Sequence, residues 1–345
     1  MIIFMYYTVF TEEQSRELID VSQIYTVYRD ELEQSAKYVG SMVWKNVNGY
    51  EYLYRILDRK GNAKSLGCRC AKTEAQYAAF KSGKTESKQR LNNLKAELDN
   101  RARYCKAARI NRVPMIVANI ARRLDKNNLL GKRITIIGTN AIYGYESMAA
   151  VFMNNALTAT RDVDILWDAR GRLKLIADDD IDGLLPLLQK VDKSFKRSAQ
   201  TYRAVNQQGF MVDLIKPMPK SVMQLESQQI GTENDLIAVE INSMEWLVAS
   251  PKISTIAIDS KGYPFRMVIA DPRAFTIHKL WLSTQANREI AKKRRDFQQA
   301  MGVAKIIVEQ LPQFQFKPES LKMFPNDLVQ KAIKIIDGIN NLQLQ

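Results

Sequence analysis

The chain has 345 residues, 46% of them hydrophobic, which is enough to build more than one buried core and excludes a disordered chain. Its 51 Lys and Arg against 37 Asp and Glu leave a net charge of +14, and the stretch from Lys72 to Arg133 holds sixteen against five of these, a local excess of +11 that is either a surface for polyanionic partners or a solvated face on long helices. One histidine, His278, and three cysteines, Cys68, Cys70 and Cys105, argue against a His-dependent triad, a zinc knuckle and a disulfide framework.

The opening MIIFMYYTVF is apolar but short and lacks a basic leader, so it reads as a poor signal peptide. No apolar run reaches the length of a membrane span, and the thiols are expected to be reduced in a cytoplasmic protein. Thr11 with Gln14 predicts a capping box, and helical spacing follows to about Val39. The period then changes: Tyr50 to Gly67 alternates around Lys60-Gly61-Asn62, as in a hairpin. From Lys72 to Ile110 the chain is rich in Lys, Glu, Ala, Leu and Arg, with Leu91, Leu94 and Leu98 on one face. This predicts a long basic helix or a helical hairpin broken at Gly83. Pro114 opens a further helix that ends near Asn127-Asn128 and Gly131. Residues 1–131 are thus read as a mainly helical basic region with a β-hairpin near 50–67.

Beyond Lys132 the pattern is mixed. RITIIG reads as a strand, Asn140 to Asn154 as a helix, DVDILW as a strand and Asp182 to Phe195 as a helix. GFMVDLI then forms a strand after a Gln207-Gln208-Gly209 turn. A helix after Lys220, a strand at LIAVEI and a hairpin from Ile253 to Ile269, turning at Ser260-Lys261-Gly262, complete a core over 132–271. Residues 272–345 are helical, with Pro272 opening one helix and another spanning about Asp327 to Ile339.

Side chains two apart on a strand share a face, so Asp162 and Asp164 project together from an otherwise apolar strand. Asp213 is the only charge in FMVDLI. Three carboxylates on neighbouring strands make an oxygen cage suited to magnesium or manganese, which also takes water and substrate phosphates as ligands. Upstream, Gly138-Thr139 follows a strand and precedes a helix. There a glycine admits a phosphate, the helix start supplies amide donors and Thr139 adds a hydroxyl, although taken alone the pair is a weak signal that an ordinary turn explains better.

In sequence, strand, Gly-Thr, helix, Asp-x-Asp strand and single-Asp strand together resemble the nucleotidyltransferase superfamily typified by DNA polymerase β. IIGTNAIYGYE, TRDVDILWDAR and YRAVNQQGFMVDLIKP are similar to a group of bacterial nucleotidyltransferase-fold proteins of poorly defined role. The resemblance implies an α+β fold, a polymerase β-like core of mixed sheet flanked by helices, between a helical basic N-terminal region and a helical C-terminal region that completes the site. It makes Gly138 and Thr139 the triphosphate-binding pair and Asp162, Asp164 and Asp213 the metal ligands. The family usually has serine after the glycine and a shorter spacing to the first aspartate. The hydroxyl is kept here, and the longer spacing implies a longer intervening helix. DPRAFTIHKLWLS followed by REIAKKRRDFQQA is similar to the C-terminal pattern of abortive-infection toxins. That similarity makes Lys279 the phosphate-contacting cation and Asp296 its later partner. The alternative is a solvated Lys279 beside an Arg295–Asp296 surface pair. Arg161 is read as pairing with a carboxylate or contacting phosphate, with the ion pair favoured, His278, Trp167 and Trp281 as packed side chains, and Asp168 with Ala177 to Asp180 as loop.

The function expected from these residues is metal-dependent transfer of a nucleotidyl group from a nucleoside triphosphate to an acceptor hydroxyl. The basic 72–133 region points to RNA, such as a tRNA end, as the acceptor. The alternatives are a nucleic-acid-binding or toxin–antitoxin-type interaction protein on a catalytically silent fold, with a protein partner or antitoxin, or an enzyme that modifies protein. No membrane partner is expected.

Overall fold

The computed structural model describes residues 5–58, 61–169, 183–219, 229–231 and 234–342. They form two compact units: 16–110 with 262–264, and 1–15 with 111–261 and 265–345. Helix α3, grouped by sequence with the basic region, therefore belongs to the second unit, and so do the C-terminal helices.

Strand β1 (Tyr7–Val9) leads into α1 (Glu12–Ser35) through the expected capping box. The Thr11 amide donates to Gln14 Oε1 (2.9 Å) and the Gln14 amide to Thr11 Oγ1 (3.2 Å), so two amides that the helix leaves open are satisfied. Strands β2 (Ser41–Val47), β3 (Tyr50–Ile56) and β4 (Ala63–Cys68) make an antiparallel sheet in that order. The turn joining β2 to β3 is Asn48-Gly49, both at positive φ, the backbone that a two-residue hairpin requires. Helix α2 (Ala71–Ala107) runs unbroken through Gly83. Gly83 marks a packing contact rather than a break, because the Tyr38 ring lies where a Cβ would stand.

In the larger unit, α3 (Met115–Lys126) precedes β5 (Ile134–Ile137), and a short turn at Gly138–Asn140 leads into α4 (Ala141–Ala149). Ala150, at φ +49°, ends α4 before the expected Asn154 and starts β6 (Val151–Met153), which pairs with β1. A single turn, α5 (Asn155–Thr158), precedes β7 (Asp162–Trp167). Then come α6 (Leu184–Gln189), shorter than the helix expected from Asp182 to Phe195, β8 (Lys196–Arg197), β9 (Arg203–Val205), β10 (Met211–Pro217) and β11 (Val239–Ile241). The chain closes with α7 (Met244–Ala249), β12 (Lys252–Ile258), β13 (Pro264–Ala270), α8 (Pro272–Thr284), α9 (Ile290–Gln310) and α10 (Asn326–Leu342). The helix expected after Lys220 and the acidic run from Ala177 to Asp180 lie outside the described residues. Among the described residues, no helix is long and apolar enough to cross a membrane.

The sheet order is β12-β13-β5-β7-β10-β9-β8, with β11 also on β10. It is mixed: β7 is antiparallel to β5 and parallel to β10, which is antiparallel to β9. Helices cover both faces, as an α+β core requires. On one face Ile136, Val163, Ile165, Trp167, Val212 and Leu214 share a core with α3 and α6. On the other, Ile137, Leu166 and Ile215 pack with α7, α8 and α10. Alternation along β7 and β10 places Asp162, Asp164 and Asp213 in the same row as Leu166 and Ile215, toward the start of each strand.

Candidate active site

Register brings the three acids together. Asp213 lies directly opposite Asp164 on the parallel neighbour, and Asp164 lies opposite Ile137, the last residue of β5. Desolvation first, then the like charge of Asp162 and more weakly that of Asp213, push the Asp164 carboxyl up to about 7, while Lys279 and Arg203 pull it down. The carboxyl is therefore divided between its two forms at neutral pH. Thr160 Oγ1 donates to Asp162 Oδ1, and Asn140 Nδ2 donates to the Asp162 carbonyl (2.6 Å), which ties the start of β7 to the turn after β5.

That turn is Gly138-Thr139. Gly138 sits at φ +65°, and a Cβ there would run into Asp164 Oδ2, so both backbone and space require glycine. Thr139 Oγ1 accepts from Gln299 Nε2 (3.1 Å), whose amide also donates to the Leu157 carbonyl (2.7 Å). With an oxygen lone pair engaged, the Thr139 proton is left to point elsewhere.

Lys279 and Asp296 are both buried and paired at 2.7 Å. Arg288 reaches the other Asp296 oxygen at 2.8 Å. The alternative of a solvated Lys279 beside an Arg295–Asp296 pair is not what the fold forms, since Arg295 donates instead to the Ala159 carbonyl. α9 supplies Asp296 and, three residues on, Gln299, so one helix face holds both Lys279 and Thr139.

Two residues of the site escaped the sequence reading. Gln299 is completely buried, and its signal was the i, i+3 spacing from Asp296. Arg203 on β9 lies opposite Asp213 and donates to both its oxygens, Nε at 2.7 Å and Nη2 at 2.6 Å. Counting back through the turn at Gln207-Gln208-Gly209 would have found it. Among the described residues no group of three His, Cys, Asp or Glu side chains is placed to hold a metal ion, and Arg203 on Asp213 is the visible competitor. The donors themselves suit a hard divalent cation, since they are all carboxylate oxygens.

The remaining candidates are structural or exposed. His278 is fully buried, its Nε2 3.0 Å from Ser243 Oγ, and burial followed by the neighbouring Lys279 charge pushes its pKa down to about 3. Trp167 is buried in the core and Trp281 stacks beside His278, whereas Arg161 is exposed. Replacing Gln299 by Leu is expected to leave the fold intact and the Thr139 hydroxyl free to rotate. For the triphosphate expected from the sequence, KM should rise about tenfold with a smaller change in kcat, which steady-state kinetics at varied triphosphate would read. An unchanged KM would remove Gln299 from the site.

Residues 115–324 match the family described as Nucleotidyltransferase, a span that contains every side chain of this site. No curated protein and no solved structure matches the chain.

Proposed function

The chain belongs to the nucleotidyltransferase family, and from that premise we propose that it transfers a nucleotidyl group from a nucleoside triphosphate to an acceptor hydroxyl of RNA, such as a tRNA end. The observation that carries this reading is the meeting of Asp162, Asp164 and Asp213 on one face of the sheet, against Gly138 and within electrostatic reach of Lys279. The order of strand, Gly-Thr turn, helix, paired acids and third acid supports a polymerase β-like core. The buried Lys279–Asp296 pair supports kinship with the abortive-infection toxins.

Asp162, Asp164 and Asp213 would hold magnesium or manganese, which when bound polarises phosphate oxygens and neutralises their charge. The chain's own residues position the substrate. Gly138 lets a phosphate approach the backbone, and the Thr139 hydroxyl, anchored by Gln299, turns its proton toward it. Lys279, fixed by Asp296, opposes the negative charge that develops on the transferred group. Catalysis on this plan is positioning and electrostatics.

A second reading, a nucleic-acid-binding or toxin–antitoxin-type module without turnover, is favoured by one observation: Arg203 fills both oxygens of Asp213. One assay separates them. Purified protein is incubated with each labelled triphosphate, magnesium and total cellular RNA, beside a variant carrying Asp162→Ala and Asp164→Ala. Label entering RNA only with the intact protein is the expected result. Label on protein instead would overturn RNA as acceptor, and no label anywhere would leave the module.

A further inference from the structure

Helix α2 carries its positive charge in two sets that the fold treats differently. Arg90 pairs with Glu31, and Arg101 pairs with Glu17, Asp20 and Glu97, so the flank facing α1 is neutralised. Lys81, Lys84, Lys88, Lys95, Arg103 and Lys106 are all exposed, and none pairs with a carboxylate among the described residues. At about 100° per residue these six fall within an arc of about 100°, nearly opposite Arg90 and Arg101. At a rise of about 1.5 Å per residue, the row from Lys81 to Lys106 is ~38 Å long. The one acid on that arc between Lys81 and Lys106, Asp99, already accepts from the Tyr263 hydroxyl at 2.9 Å.

Like charges three and four apart on a helix repel, by about 0.2–0.5 kcal/mol per close pair. Lys81, Lys84 and Lys88 are spaced in that way, as are Arg103 and Lys106, yet Glu86, the acid between Lys84 and Lys88 in sequence, falls well outside their arc and accepts from Ser82 Oγ instead. A straight row of unneutralised cations is complementary to a polyanion whose charges repeat along a line. We propose that this face of α2 binds the phosphodiester backbone of the RNA acceptor, holding the strand by charge without reading its bases. The identity of the strand as RNA rests on the function proposed above; the surface itself does not.

The test uses two full-length variants of equal charge change. One carries Lys81→Gln, Lys88→Gln, Lys95→Gln and Lys106→Gln, glutamine being a good helix former. The other carries Lys317→Gln, Lys322→Gln, Lys331→Gln and Lys334→Gln, exposed lysines elsewhere in the chain. Binding of a labelled single-stranded RNA is measured across a salt series. The α2 variant is expected to lose at least about tenfold in affinity near 0.1 M salt, and the slope of log K against log salt to shrink by about 2–3, while the other variant binds like the native chain. Equal loss in both variants, an unchanged salt slope, or anionic phospholipid vesicles displacing the RNA would overturn the proposal. The Asp162→Ala, Asp164→Ala variant should bind this RNA with native affinity. Binding that survives there while no triphosphate is ever turned over by the intact chain would sink the transferase reading and leave the α2 surface standing.

Discussion

Asp164→Asn is expected to abolish nucleotidyl transfer and, in the same protein, to raise resistance to unfolding above neutral pH. The loss of turnover should be about 10³-fold or more, since Asn keeps the shape but not the negative charge that would hold a divalent cation against the transferred phosphate. The gain in stability follows from linkage. The Asp164 carboxyl lies near 7 in the folded chain and near 3.8 when free, so between these values the folded state keeps a proton that the unfolded state has released. Its contribution to stability is complete below about 4 and is lost as pH rises through about 7. Asn cannot ionise and escapes that loss, a difference on the order of 2–4 kcal/mol at pH 8. Denaturant unfolding at pH 5 and pH 8 without divalent cations reads it directly. Adding magnesium should then stabilise the native chain and leave the variant unmoved. A variant that is less stable than the native chain at pH 8, or that still turns over, would contradict this account of the site.

Lys279→Met is expected to cost both activity and stability, for separable reasons. Removing the point charge should lower turnover by about 10²–10³-fold. Stripping a buried carboxylate of its only partner destabilises by about 3–5 kcal/mol, but Asp296 keeps Arg288 at 2.8 Å, so about 2 kcal/mol is expected here. Adding Asp296→Asn to Lys279→Met removes the stranded charge and should restore most of the stability with none of the turnover. Thermal unfolding beside the labelled-triphosphate assay distinguishes the two effects. Recovery of turnover in the double variant would show that Lys279 acts only by pairing.

Much of the core was legible because local chemistry and tertiary structure agree there. Asp162 and Asp164 share a face by the period of a strand, and an apolar run with one acid at Asp213 had to be a second buried strand. Other features depended on partners distant in sequence. The continuity of α2 through Gly83 is set by Tyr38, and the early end of α4 by the left-handed Ala150 and the pairing of β6 with β1. Strand β2 is poorly marked in sequence despite Asn48-Gly49, a strong hairpin signal, because the unbroken apolar run Met42-Val43-Trp44 hides its two-residue period. Arg203 and Gln299 were missed because a polar side chain shows its purpose only when its partner is known.

The spacing of Asp296 and Gln299 on α9 couples two contacts of the pocket. Because a single rod holds both the Lys279 cation and the Thr139 hydroxyl, a slip or twist of that rod is expected to disturb both together. Anything that grips α9 should therefore act on both contacts at one stroke.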